Sequence, residues 1–119
     1  MTETVKTSNT REGSEISVNN SNPMSEFQNI QVAYRLNGKN YLKWSQLVRT
    51  FLKGRGKLSH LLRTGPKEGD PKFDARDEQD SIVMSWLWNS MMPEISDTCM
   101  FLSTSKEIWE AVKQTYSKD

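Results

Sequence analysis

The sequence predicts an all-α fold, a small orthogonal or bundle-like packing of about five helices preceded by a disordered N-terminal tail. Apolar residues recur at steps of three and four, not two, which is the period of a helix face. Start and stop signals bracket each periodic run. All four Trp, all three Tyr and all four Phe of the 119 residues lie from Phe27 onward. Residues 1–29 are rich in Ser, Thr, Asn and Glu. Such a segment buries too little apolar surface to offset about 1–2 kcal/mol of backbone entropy per residue, so disorder is expected there and a helical domain over 30–119.

Asn37-Gly38 is a turn dipeptide, because both residues tolerate positive φ. "IQVAYRL" ahead of it reads as an extended lead-in, since no second β-type run follows the turn. Asn40 is placed to cap a helix on which Tyr41, Trp44, Leu47, Val48, Phe51 and Leu52 form one stripe, with Gly54 and Gly56 stopping it. Lys57–Leu62 gives a short second helix with Leu58, Leu61 and Leu62 inward. "RTGPKEGDPKFDARDEQ" is loop chemistry leading into a longer helix that begins at Asp74 or Asp77. Asp74, Asp77, Glu78 and Asp80 then sit at its positive dipole end. Ile82, Val83, Trp86, Leu87 and Met91 line its inner face. Pro93 ends that helix and opens the next, "PEISDTCMFL". Thr104 and Glu107 have capping-box spacing before the last stripe, Ile108, Trp109, Val112 and Tyr116.

The net charge of +1 hides an asymmetry: residues 1–26 carry −2, residues 27–63 carry +8 without one carboxylate, and residues 64–119 carry −5. One Cys and one His exclude a disulfide framework and a multi-cysteine zinc site. Cys99 reads as a buried small hydrophobe. His60 has no carboxylate within ten residues upstream to orient it as a base, and reads as a half-exposed helix-surface residue. The acidic run at 74–80 lacks the calcium-loop order and reads as helix design. "GRGK" lacks the strand and the Lys-Ser/Thr ending of a phosphate loop. No catalytic residue, metal, cofactor, small-molecule substrate or membrane partner is expected. No signal peptide or long apolar run is seen, so a cytoplasmic location is expected.

Two readings of the basic run stay open. Lys43, Arg49, Lys53, Arg55, Lys57 and Arg63 would contact RNA phosphates weakly and without sequence preference, with Kd of about 10⁻⁴–10⁻⁶ M. Alternatively they form a solvated face that pairs with the acidic helix. Trp44 and Phe51 are expected in the core and not as stacking platforms. Trp88, opposite the Ile82–Trp86 stripe, and Met92 are expected to stay exposed as candidate interface residues.

"LNGKNYLKWSQLVRTFLKGRGKLSHL" and "SWLWNSMMPEISDTCMFLSTSKEIWEAVKQTYS" together resemble the N-terminal gag region of copia-type LTR retrotransposons. An "L-x-G-x-N-Y-x-x-W" opening is matched by Leu36, Gly38, Asn40, Tyr41 and Trp44. A "W-x-x-N-S" helix is matched by Trp86, Asn89 and Ser90, and an "A/S-K-E-x-W" helix by Ser105, Lys106, Glu107 and Trp109. The likeness spans about Val32 to Ser117. It implies a capsid-like, non-catalytic helical domain that associates with itself or other gag subunits around element RNA. The family pattern continues with further helices and a zinc knuckle that holds RNA. With one Cys and one His, this sequence is expected to represent only the N-terminal lobe. A protein–protein adaptor derived from such an element is the further alternative.

Overall fold

A computed structural model describes residues 34–118. The polar segment 1–29 lies outside them. Five helices follow in order: α1 Tyr41–Gly54, α2 Ser59–Leu62, α3 Phe73–Asn89, α4 Pro93–Cys99 and α5 Ser105–Tyr116. The fold is a small all-α bundle. Its one extended pairing among the described residues is an isolated parallel bridge between Leu36 and Met91. Of the expected lead-in only residues 34–36 are described, and they form no strand; residues 30–33 lie outside the described residues. α5 is the hub, packing on α2 and α3 and touching α4. Trp44, Val48 and Leu52 of α1, Val83, Trp86 and Leu87 of α3, Ile95 and Cys99 of α4, and Ile108, Trp109 and Val112 of α5 close the core.

The helix ends follow physical rules that spacing alone only partly reveals. α1 runs through Gly54, and Gly56 is the residue that stops it, at φ +71°. Gly56 N–H donates to Lys53 O at 3.1 Å and Lys57 N–H to Leu52 O at 2.8 Å, the paired bonds of a left-handed glycine terminus. Asn40 stands at the N-cap position, yet its side chain makes no cap bond. α3 starts at Phe73, one residue before Asp74. Pro93 is the first residue of α4, as its missing N–H favours. Thr104 Oγ1 accepts from Glu107 N–H at 3.1 Å, while Glu107 Oε1 accepts from Ser103 N–H at 2.9 Å, one residue ahead of the reciprocal box partner.

Three side-chain expectations are corrected. Leu62 is 50% exposed and Ile82 48% exposed. His60 is buried, not half-exposed. A one-turn α2 turns a single narrow sector inward, and Leu61 shares that sector with His60. On α3 the inward position preceding Val83 and Leu87 is taken by Asp80, which leaves Ile82 at the edge of the stripe. A buried polar pair thus replaces part of the expected apolar seam.

Candidate functional site

The motif residues converge on one junction. Leu36 N–H donates to Ser90 O at 2.9 Å, and Met92 N–H returns a bond to Leu36 O at 2.9 Å. Trp44 Nε1–H reaches Ser90 O at 3.0 Å and Ser90 Oγ at 3.1 Å, and Ser90 Oγ–H donates to Leu87 O at 2.6 Å. The Trp44 ring lies 5.5 Å from Trp109, and Phe51 lies 4.6 Å from Trp86. Trp44 and Trp86 are buried, and Phe51 is half-buried. The lead-in, α1, the end of α3 and α5 are tied together here.

Asn40 fixes the turn that delivers Leu36 to this junction. Its Oδ1 accepts from Asn37 N–H at 3.0 Å and its Nδ2–H donates to Arg35 O at 2.9 Å, while Gly38 sits at φ +92°. The side chain faces back to the turn and leaves the helix start unserved. Asn89 and Glu107 are exposed, and Lys106 pairs with Glu110 at 3.0 Å.

With most of the motif built into the framework, the surfaces left for partners lie elsewhere. Lys43, Arg49, Lys53, Arg55 and Arg63 are exposed and Lys57 is half-buried. Arg55 stands over the Phe51 ring at 5.4 Å. The acidic helix does not draw the run to itself through its inner carboxylate. Asp80, the inner member of the acidic cluster, faces His60 at 2.8 Å.

An open hollow of about 550 Å³ lies at the start of α1, between the Asn37-Gly38 turn and the end of α5. Tyr34, Tyr41 and Tyr116 line it with Arg35, Lys39 and Lys43, and no carboxylate lines it among the described residues. α1 also has no acidic residue in its first turn. Burial pushes the Tyr41 hydroxyl above its ordinary value, with Ser45 and the Arg49 charge opposing the shift. Lys43 belongs to the expected basic run. Spacing does not single out Tyr34, Arg35, Lys39 and Tyr116, because the turn and the end of α5 meet only in the fold.

Of the two expected interface residues, Trp88 is half-buried, with its Nε1–H donated to Cys99 O at 3.2 Å, and Met92 is half-buried beside Leu36. The most exposed large apolar residues are Leu42 at 80% and Phe101 at 79%. Leu42 lies off the α1 stripe, a signal the sequence does contain. Phe101 stands out only once α4 is seen to end at Cys99.

Among the described residues, no three or more His, Cys, Asp or Glu side chains are grouped to hold a metal ion. None of the described helices is long and apolar enough to cross a membrane. No protein-family model, curated protein or solved structure matches the chain.

Proposed function

We propose that this protein is a non-catalytic, cytoplasmic structural module that associates with copies of itself through its helix faces, as its likeness to copia-type gag implies for capsid-like particles. One observation carries the reading: Leu42 and Phe101 stand 80% and 79% exposed on a unit whose core is already closed. Large apolar side chains left in water are the usual material of an interface. Light scattering on the full chain across a concentration series tests it. Phe101→Glu and Leu42→Glu should each lower the apparent mass without changing the helical circular dichroism. Variants that scatter like the wild type would remove the basis for assigning the interface to these side chains.

A second reading is favoured by the hollow at the start of α1. Cations that follow a backbone and aromatic faces on which bases stack are what single-stranded RNA needs. Among the described residues no carboxylate lines it to repel a phosphate. Titration with single-stranded RNA at two salt concentrations should give Kd of about 10⁻⁴–10⁻⁶ M and a negative salt slope. Lys39→Gln with Lys43→Gln should reduce that slope by roughly one unit for each phosphate no longer neutralised. A slope near zero in the wild type would eliminate RNA as the partner of this face.

A further inference from the structure

Asn37-Gly38, which shapes the turn before α1, is also a pair that can react with itself. Of the eight asparagines in the chain, Asn37 is the one followed by glycine. Asn37, Asn40 and Asn89 lie among the described residues, and the fold treats them differently. The Asn40 side chain is engaged at both ends, by Asn37 N–H and by Arg35 O. Asn89 is exposed, but the amide that follows it is held, with Ser90 N–H donating to Trp86 O and Leu87 O at 3.0 Å. Asn37 is exposed, and Gly38 N–H has no hydrogen-bond partner among the described residues. Gly38 carries no side chain to shield that nitrogen, and its φ of +92° favours glycine there.

The turn also prepares the carbon that this nitrogen would attack. Asn37 Oδ1 accepts from Lys39 N–H at 2.8 Å, so a donor already faces the oxygen on which negative charge develops. Asn37 N–H is tied to Asn40 Oδ1 at 3.0 Å, which holds the backbone of the turn. Arg35, Lys39 and Lys43 line the hollow at the start of α1 together with Asn37, and among the described residues no carboxylate does. Their charges favour an anion at this position, both the deprotonated amide that attacks and the carboxylate that results.

We infer that Asn37 is a self-modification site, which deamidates and so places a carboxylate in the cationic hollow. Gly38 N gives its proton to a solvent base and attacks Asn37 Cγ. The new N–Cγ bond closes a cyclic imide, and the side-chain nitrogen takes up a proton and leaves as ammonia. Water then opens the imide at one of its bonds to the Gly38 nitrogen. Breaking the new bond gives aspartate, and breaking the original peptide bond gives the iso-linked form. Water is the co-reactant, and nothing is oxidised or reduced. The consequence for RNA rests on the second reading above: a carboxylate on this wall repels the phosphates that Lys39 and Lys43 would attract.

The full chain is incubated at mildly alkaline pH and sampled by peptide mass mapping, with released ammonia measured alongside. Conversion at Asn37 should run roughly tenfold faster than at Asn89, because freeing Ser90 N–H costs about one hydrogen bond. The rate at Asn37 in the folded chain should at least equal the rate in the same chain unfolded by guanidinium chloride. Asn37→Gln, which would have to close a larger ring, should stop conversion at this position and leave Asn89 unchanged. A rate at Asn37 no greater than at Asn89, or lower in the folded chain than in the unfolded one, overturns the proposal. Asn37→Asp should also weaken binding of single-stranded RNA roughly fivefold at low salt, the scale of one exposed charge interaction. RNA held equally by both proteins would overturn the effect on affinity. RNA held by neither removes the RNA reading, and the mass measurement still decides the modification.

Discussion

Replacing Trp44 with Phe keeps an aromatic ring in the core and removes the one hydrogen that ties α1 to Ser90. The loss should be about 1–3 kcal/mol, a net hydrogen bond plus the volume of the missing ring. Ser90→Ala should cost less, about 1 kcal/mol, because the Ser90 carbonyl still accepts from Trp44. The two changes share one bond, so the double variant should lose less than the sum. Urea unfolding of the four proteins measures this. Additivity within about 0.3 kcal/mol would mean that the Trp44 to Ser90 link is energetically empty. Cys99 supplies a prediction of opposite kind. Burial raises its thiol above the ordinary value, only partly offset by hydrogen bonds with Trp88 and its own backbone. As pH rises, the unfolded chain therefore releases this proton before the folded chain does. The thiol's contribution is full below the ordinary thiol value and is lost as pH climbs toward the raised one. The fall in urea midpoint between neutral and mildly alkaline pH should be smaller in Cys99→Ala than in the wild type. An equal fall in both proteins would place the alkaline sensitivity elsewhere.

At the scale of elements, the two glycines that close α1 should respond with opposite signs. Gly54 has nothing within 4 Å of a Cβ and lies inside the helix, so Gly54→Ala should stabilise by about 0.5–1 kcal/mol. Gly56 is left-handed at φ +71°, so Gly56→Ala should cost about 1–2 kcal/mol. Thermal unfolding of both variants checks this, and equal signs would contradict the terminus described. The sequence marks both glycines but cannot rank them, since the rank depends on which one crosses to positive φ. Periodicity finds the α1 and α5 stripes because Trp44, Val48, Ile108 and Val112 repeat at helical steps. It fails where a polar residue takes an inward place. Asp80 and His60 are 20 residues apart on different helices, and the same carboxylate also receives Ser105 N–H from α5, a meeting that only the fold makes. The acid-free hollow is half legible: the charge run is visible, but its tyrosines come from the lead-in, α1 and α5. Trp88 faces away from the α3 stripe, which on spacing alone means exposure. α4 folds over it instead, and Cys99 O receives its indole hydrogen.

Across the described residues, the most exposed apolar side chain, Leu42, stands on the wall of the cationic hollow. The hollow at the start of α1 is cationic and aromatic, while the cavity beside α2 mixes both signs around a buried histidine. The framework beneath these surfaces has Leu36, Trp44, Ser90 and Ser105 buried at its joints. If the chain associates with copies of itself as proposed, side chains outside this framework must make the contact, and Leu42 and Phe101 are the large apolar ones most open to solvent. Self-association is best followed by sedimentation velocity of the full chain, from low to high micromolar concentration. The weight-average sedimentation coefficient should rise with concentration, and rise less for Leu42→Glu combined with Phe101→Glu. A strict monomer throughout the range would contradict association through these faces.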